Sequence, residues 1–362
     1  MRKGASLQGL DWFLLAVALA LAMVGVVEIH STTAHSALAG EYKRQIYWIL
    51  AGTVAALVVS RLDYHSVLDH TPALYIISVL GLAAVLVAGR TVAKTHRWLS
   101  LGGQTFQVSE MVKLVIIASV AGYLARSKGW AVTWKDCAAL GLVVGVPATL
   151  VALEPDLGTA LTYLPIAVAG VFVAGIRVRQ VVTLLLLGAL VLPVGWHFMR
   201  PYQRDRMLSF VHPSNDTQGA GYQVAQSKIA IGSGGFRGKG IGNGTQSRLG
   251  FIPVSHADFI LSAFGEEQGF VGIFCVLLLY FLLLVRLLDG AHLAGDPAGA
   301  FLIVGLASVL FFQIAVNAGM MIGLVPITGI PLPLMSQGGS SVLFTFVGLG
   351  LAMSVKMRRF VN

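Results

Sequence analysis

Ten long apolar runs constrain the fold of this chain more than any other feature of its sequence. Each run comes close to the length of about 20 residues that an α-helix needs to cross a bilayer. The predicted spans are Asp11–His30, Gln45–Ser60, Pro72–Gly89, Ser109–Arg126, Lys135–Leu153, Leu157–Gly175, Gln180–His197, Ile260–Arg286, Gly299–Val325 and Ser340–Lys356. The strands of a transmembrane barrel would instead alternate apolar with polar residues. We therefore predict an all-α polytopic membrane protein with about ten transmembrane helices.

The composition excludes most other classes of protein. Charged residues make up 11% of the 362 residues and hydrophobic residues 56%, whereas an ordinary soluble domain carries about 25% charged residues. A net charge of +9 does not indicate nucleic-acid binding, because the basic residues lie between the spans and form no basic domain. Cys137 and Cys275 both lie in apolar runs, which favours free buried thiols over a disulfide or a metal site.

The distribution of Lys and Arg predicts the orientation in the membrane. Twelve basic residues fall on the side of the two termini, and five fall in the short loops opposite. Basic residues accumulate in cytoplasmic loops, so both termini are predicted to be cytoplasmic. The long loop at 198–259, between helices 7 and 8, is then extracytoplasmic, and residues 1–362 form a single transmembrane domain. We expect the first span to stay uncleaved, although Ala37-Leu38-Ala39 resembles a signal-peptide cleavage site.

The first polar cluster on the predicted outer side combines Arg97 and Trp98 with Glu110 and Lys113. Glu110 and Lys113 are three residues apart and share one helix face. They either neutralise each other and anchor the helix end, or Lys113 joins Arg97 in a cationic pocket for an anionic headgroup. Trp98 is typical of an interfacial aromatic belt.

A second cluster, Glu154-Pro155-Asp156, separates two spans by only three residues. Because the proline breaks the helix, we predict a tight hairpin. Asp156 either caps the following helix together with Thr159, or the two acids form a polar site or hold a cation.

A third candidate is the run from Gly232 to Gly250, which has eight glycines in 19 residues and includes Arg237 and Lys239. Glycine backbone N–H groups and basic side chains favour phosphate binding. The alternative is a flexible loop without a ligand.

Asp258 enters an apolar run where the chain returns to the membrane, two residues after His256. A carboxylate in such a place is a candidate general base; the alternative is that His256 and Asp258 ligate a metal.

Further on, proline and glycine interrupt the chain between Pro326 and Ser341, after Gln313 and Asn317 in the ninth span. Non-helical backbone at membrane depth is tolerated only when it is buried or lines a cavity. We expect a cavity open to the outer leaflet.

At these residues the sequence resembles the SEDS family (shape, elongation, division and sporulation), the RodA/FtsW group of bacterial cell-wall glycosyltransferases. The motifs that carry the resemblance run from the first span to the last: Arg97-Trp98, Ser109-Glu110 with Lys113, Glu154 through Thr159, Gly221-Tyr222-Gln223, Ala230 through Gly235, Gly244-Thr245-Gln246, Pro253 through Phe259, Asn317 with Gly319-Met320, and Pro326 through Ser341. The rod-elongation branch is nearer than the division branch, because the N-terminal segment is short.

The resemblance implies a multi-pass protein of the bacterial cytoplasmic (inner) membrane. Its members polymerise lipid II into glycan strands on the outer, periplasmic face, in partnership with a class B penicillin-binding protein that crosslinks the strands. Carried over, Asp258 is the essential catalytic residue, and the family's other polar positions correspond to Arg97, Glu110, Lys113, Glu154 and Asp156. This chain has Ala257 where threonine is common and Gln337 where an aromatic residue is common, which puts the fine positioning of the site in doubt.

The resemblance further implies an inverting transfer that releases undecaprenyl pyrophosphate. In our hypothesis Asp258 takes the proton of the acceptor hydroxyl, while Arg97, Lys113 and either Arg237 or Lys239 stabilise the pyrophosphate. A divalent cation, Mg²⁺ or Mn²⁺, held by Asp258, Glu154 or Asp156 could share the stabilisation of the pyrophosphate.

Two other functions compete with this interpretation. A flippase for the same lipid-linked precursor would also carry intramembrane charges and broken helices. It should expose polar groups on both membrane faces, whereas here they gather on one. A non-catalytic scaffold for the crosslinking partner would tolerate the loss of Asp258.

Overall fold

The chain folds into a helical bundle with one small sheet. The computed structural model describes residues 9–34, 36, 38–88, 90–92, 95–101, 104–127, 132–211, 216, 219–252 and 254–359. The helices are α1 (Trp12–Thr33), α2 (Glu41–Arg61), α3 (Tyr64–Ala88), α4 (Val108–Arg126), α5 (Trp134–Leu153), α6 (Leu157–Val173), α7 (Val178–Phe198), α8 (Pro201–Val211), α9 (Ala220–Gly234), α10 (Thr245–Arg248), α11 (Ile260–His292), α12 (Pro297–Met321) and α13 (Gly339–Met357). The strands are β1 (Arg90–Val92), β2 (Thr95–Leu101) and β3 (Gln104–Phe106).

Each of the ten predicted spans falls on one of these helices, which confirms the predicted fold class. Among the described residues, eight helices are long and apolar enough to cross a membrane. The other two are α6, which has 17 residues, and α2, which begins with the polar residues Glu41-Tyr42-Lys43-Arg44. Helix α3 starts at Tyr64 rather than at the predicted Pro72, because this proline is accommodated inside the helix.

The small sheet was not predicted from the sequence. Its three strands are antiparallel in the order β1-β2-β3, with Thr91 opposite His96 and Ser100 opposite Thr105. A signal was present in the sequence, since β2 and β3 flank the pair Gly102-Gly103, a composition typical of hairpin turns. Their short length hid these strands beside the apolar spans.

Helix α12 lies at the centre of the bundle. It packs against α4, α6 and α11, and both of its amide side chains, Gln313 and Asn317, are fully buried. At the predicted cytoplasmic end, the buried Asp11 carboxylate accepts hydrogen bonds from Arg286 Nε at 2.8 Å and Lys356 Nζ at 2.5 Å. These ion pairs join the ends of α1, α11 and α13.

The described residues of the long segment between α7 and α11 include the helices α8, α9 and α10. Its glycine run packs on the first half of α11. Lys239 N donates to Glu266 O at 3.0 Å, Gly240 N to Glu267 O at 2.9 Å, and Phe270 N to Gly235 O at 2.9 Å. Gly269 interrupts α11 there with a φ of 64°. Two glycines of the run, Gly234 and Gly238, allow close contact between main chains, because a Cβ on either would clash with a carbonyl oxygen of α11.

Helices α2 and α13 pack closely at Gly350, which has no side chain. A Cβ at Gly350 would lie 2.7 Å from the carbonyl oxygen of Ala56 and 2.9 Å from its Cα. Backbone atoms cannot move aside as a side-chain tip can, so even a methyl group must push the two helices apart.

We predict that Gly350→Ala lowers the stability of the protein by about 1–3 kcal/mol through overpacking. Thermal unfolding in detergent would measure this. The matched control is Gly141→Ala, since a Cβ at Gly141 meets nothing within 4 Å. An unchanged melting temperature for Gly350→Ala would contradict the close contact.

Candidate active site

Asp258 lies in the turn 254–259 that leads into α11, and this turn is fixed by the non-helical segment 322–338 between α12 and α13. Three successive carbonyl oxygens of the turn each accept one hydrogen bond. The donors are Gln337 N to His256 O at 3.1 Å, Ser336 Oγ to Ala257 O at 2.6 Å, and Asn317 Nδ2 to Asp258 O at 3.1 Å. We call these three bonds the carbonyl clamp. The clamp fixes the backbone that carries the Asp258 carboxylate.

Asn317 connects the turn to the segment that holds it. Its amide nitrogen donates to Asp258 O and also to Ile330 O at 2.9 Å, and the side chain is fully buried. Ser336 has a similar double role, because its hydroxyl also accepts a hydrogen bond from Leu332 N at 2.9 Å. One amide and one hydroxyl therefore cross-link two irregular stretches of backbone.

Both stretches contain a residue in the left-handed region that is not glycine. Val254 has a φ of 53° and Leu334 a φ of 67°. Such conformations cost of order 1–3 kcal/mol each and cluster at functional sites. Their position on either side of the carbonyl clamp supports the assignment of a functional site here.

The Asp258 carboxylate lies beside Gly329. A Cβ at Gly329 would meet Asp258 Oδ2 at 3.6 Å and Arg206 Nη1 at 3.9 Å. Arg206 belongs to α8, and its guanidinium donates to Ile327 O at 3.3 Å. Arg206 was not predicted as a site residue. The charged segment Arg204-Asp205-Arg206 was the only sequence feature that could have indicated it, and charged residues in such a long loop are often only solvated.

The Glu154–Asp156 turn adjoins the same segment. Helix α6 approaches it so closely that a Cβ at Gly158 would lie only 2.4 Å from Thr328 O. Asp156 caps α6 by accepting from Thr159 N at 3.1 Å, and its other oxygen accepts from Gln107 Nε2 at 2.8 Å. Both acids of the turn are buried. The hairpin is present as predicted, and the capping role of Asp156 is visible.

Glu110 and Lys113 form a buried ion pair at the start of α4. Their side-chain atoms approach to 2.7 Å, and the two side chains are 4% and 0% exposed. The Lys113 ammonium also lies 4.2 Å from the centroid of the Phe344 ring. The charge of Lys113 is thus neutralised inside the bundle.

Lys239 is neutralised in a comparable way. Its ammonium lies 2.6 Å from the Glu266 carboxylate, which also accepts from Thr245 N at 2.8 Å and Gln246 N at 3.0 Å. Arg237, on the same glycine run, is exposed. The two basic residues proposed for phosphate binding in this run therefore differ, since one is paired and the other faces outward.

The remaining predicted site residues are placed as follows. The backbone of Arg97 and Trp98 belongs to β2, and their side chains lie outside the described residues. His256 is half-buried; burial lowers the pKa of its imidazole, although the charge of Glu41 opposes that shift. Within the described part of the chain, no three or more His, Cys, Asp or Glu side chains are grouped so that they could hold a metal ion.

The structure thus brings several predicted residues to one place. Asp258 and the turn with Glu154 and Asp156 border segment 322–338. The residue before α4 contacts the start of α13, which follows this segment, since Gln107 N donates to Ser340 Oγ at 2.9 Å. This arrangement offers a half-buried aspartate near a guanidinium, together with a buried ion pair at the start of α4.

Comparison with known proteins gives a consistent result. A family model described as cell cycle protein, FTSW_RODA_SPOVE, matches residues 11–360. The peptidoglycan glycosyltransferase MrdB of Escherichia coli (strain K12) is 38% identical over 354 residues, which cover 97% of this chain and 94% of that protein.

Two solved structures are similar over nearly the whole chain. One comes from work on the structural coordination of polymerization and crosslinking by a peptidoglycan synthase complex, with a TM-score of 0.83, 32% identity, and coverage of 98% of this chain and 99% of that one. The other is the rod shape determining protein RodA of Thermus thermophilus, with a TM-score of 0.73, 30% identity, and coverage of 98% of each chain.

The buried Glu110–Lys113 pair generates a prediction about stability. Removing one partner leaves an uncompensated buried charge, which costs about 3–5 kcal/mol. We expect Lys113→Met and Glu110→Gln each to lower the thermal unfolding midpoint in detergent. The double variant should unfold at a higher temperature than either single variant, because it buries no lone charge. If the losses of the two single variants simply add in the double variant, the pair is not coupled.

Proposed function

The chain belongs to the FtsW/RodA/SpoVE family of cell cycle proteins, and we infer that it is a peptidoglycan glycosyltransferase acting in cell elongation. Relatives that match almost its full length carry that activity in their names. We propose lipid II as the substrate, an undecaprenyl-pyrophosphate-linked disaccharide-pentapeptide. The observation that carries the assignment of the site is Asp258, whose backbone is held by the carbonyl clamp and whose carboxylate lies near Arg206.

The reaction is a single displacement at the anomeric carbon of the donor glycan. The hydroxyl oxygen of the acceptor sugar forms the new bond to that carbon. The bond from the carbon to the pyrophosphate oxygen breaks, and its electron pair leaves with undecaprenyl pyrophosphate. The proton of the acceptor hydroxyl goes to a base. One inversion converts an α-linked donor into a β-linked product.

Asp258 acts as that base. It is only partly buried, so a substrate hydroxyl has access to it, and the clamp fixes its backbone without using its carboxylate. General base catalysis of this kind contributes roughly 10²–10⁴-fold to a rate. Because the transition state resembles an oxocarbenium ion, a nearby carboxylate also favours the positive charge that develops on the sugar.

The protein crosses the membrane several times, and we propose that the site faces outward. The excess of basic residues on the side of the termini supports cytoplasmic termini. Asp258, segment 322–338 and α8 then lie together at the periplasmic or outer face of the cytoplasmic membrane. Polymerisation on that face delivers the glycan directly to the wall.

We further propose that the chain works with a class B penicillin-binding protein, a transpeptidase that crosslinks the strands. Support comes from the similar chain solved in a complex that coordinates polymerization with crosslinking. Helix α7 exposes large apolar side chains, which a membrane-embedded helix of a partner could contact.

The base assignment is tested with Asp258→Asn, which keeps the shape of the side chain but cannot accept the proton. We expect a loss of at least about 100-fold in polymerisation of labelled lipid II, measured as glycan ladders on a gel. The control is Asp289→Asn, an exposed acid further along α11, which should keep the parent rate. A folded Asp258→Asn protein with full activity would remove Asp258 from this role. Absence of polymer from the parent protein, together with exchange of lipid II between leaflets, would favour a flippase.

The orientation is tested by cysteine labelling in a background in which Cys137 and Cys275 are replaced by serine. We expect Arg237→Cys to react with a membrane-impermeant maleimide in intact spheroplasts. Arg179→Cys, which is also exposed but predicted to be cytoplasmic, should react only after permeabilisation. The reverse pattern would invert the proposed topology.

A further inference from the structure

Two of the four basic residues that the sequence suggested for the leaving group are already neutralised by acidic partners. Lys113 is neutralised by Glu110, and Lys239 by Glu266. A pyrophosphate that departs from the sugar carries a developing negative charge, and fixed cations near it lower the barrier. Among the described residues, Arg206 is a cation that lies near Asp258.

We propose that Arg206 binds the diphosphate of the lipid-linked substrate and stabilises it as the leaving group. This inference deepens the proposed function and rests on it. It assigns to α8 a direct part in the reaction, and it names a residue outside the motifs from which the site was predicted.

The position of Arg206 relative to Asp258 supports the proposal. Their side chains meet across Gly329, where a Cβ would lie 3.6 Å from Asp258 Oδ2 and 3.9 Å from Arg206 Nη1. The two atoms are therefore no more than 7.5 Å apart, the sum of those distances. This upper limit places the carboxylate and the guanidinium close enough for both to contact one substrate molecule.

Gly329 keeps a side chain away from both groups. It has a φ of 72°, a left-handed conformation that favours glycine. A Cβ at this position would contact both the carboxylate and the guanidinium. Glycine therefore leaves these two groups without a side chain packed against them from this position.

Arg206 retains most of its hydrogen-bonding capacity. A guanidinium has five N–H donors, and among the described residues Arg206 uses one of them, to Ile327 O at 3.3 Å. The face of the group lies 5.9 Å from the centroid of the Tyr202 ring, and Tyr202 is itself anchored by a hydrogen bond to Pro155 O. The guanidinium is thus oriented but not saturated, as a bidentate phosphate ligand requires.

Arg204 provides a matched contrast on the same helix. Its Nε donates to Trp196 O at 3.0 Å and its Nη2 to His197 O at 2.8 Å. These bonds turn its guanidinium toward the end of α7 and commit it to the fold. Two arginines that are two residues apart therefore have different surroundings, and only Arg206 lies at Gly329.

The test compares Arg206→Gln, Arg206→Lys and Arg204→Gln in the full-length protein, purified in detergent. The first readout is binding of farnesyl diphosphate and farnesyl monophosphate by calorimetry, in an Asp258→Asn background so that no chemistry intervenes. We expect Arg206→Gln to weaken diphosphate binding by about tenfold or more, the usual effect of losing a charged hydrogen-bond donor. Arg206→Lys should recover part of that binding, and Arg204→Gln should bind as the parent does.

The second readout is polymerisation of lipid II by the same arginine variants with Asp258 intact. Loss of a donor to a developing anion costs about 10²–10³ in kcat, so Arg206→Gln should lose kcat as well as affinity, and Arg204→Gln should keep both. Farnesyl diphosphate binding by Arg206→Gln equal to that of the parent would overturn the proposal, whatever its polymerisation rate. If Arg206→Gln does not fold, the test uses Arg206→Lys. A diphosphate affinity of Arg206→Lys equal to that of the parent would exclude a bidentate contact and overturn the proposal.

The two readouts separate this inference from the proposed base. Full polymerisation by Asp258→Asn would reject the proposed role of Asp258 as general base. The role of Arg206 would still be decided by the diphosphate affinities of the arginine variants. Weak diphosphate binding by Arg204→Gln, equal to that by Arg206→Gln, would indicate a general effect of charge on α8 and would overturn the specific assignment.

Discussion

A bilayer offers no water to unpaired backbone groups, so irregular backbone can enter its depth only if the protein itself bonds it. Segment 322–338 meets this requirement through side chains from three surrounding helices. Gln45 of α2 donates to Ser336 O at 3.1 Å, Tyr280 of α11 donates to Pro333 O, and Asn317 of α12 donates to Ile330 O. The rest of the site depends on this segment, because the turn with Asp258, the α6 hairpin and α8 all rest against it.

The charged groups of the molecule fall into two classes. Some are closed in ion pairs: Glu110 pairs with Lys113 inside the bundle, and Asp11 pairs with Arg286 and Lys356 at the ends of their helices. At the rim, Asp258 and Arg206 are partly exposed and both lie near Gly329. Buried pairs that are already satisfied contribute orientation and structure, whereas groups at the rim have room for a substrate. This division separates the residues that hold the fold from those proposed to act on a ligand.

Much of the architecture could be predicted from the sequence, because membrane spans leave a strong and nearly local signal. The apolar runs gave the helices, and Pro155 between two acids gave the hairpin. Contacts between distant segments left no such signal. Nothing local in the sequence indicates that Asn317 reaches Asp258 O, that Glu266 pairs with Lys239, or that Arg206 of α8 reaches Gly329. The role of the glycine run as a main-chain contact with α11 was likewise hidden, since phosphate binding and close packing demand the same residue.

The carbonyl clamp recognises peptide oxygens, and peptide oxygens are the same for every amino acid. The turn can therefore exchange the side chains at positions 256 and 257 without loosening its attachment. Ala257 is an example, since the Ser336 hydroxyl donates to the Ala257 carbonyl oxygen and not to its side chain. Side chains next to Asp258 can therefore change during evolution while the main-chain hydrogen bonds keep Asp258 in the same position.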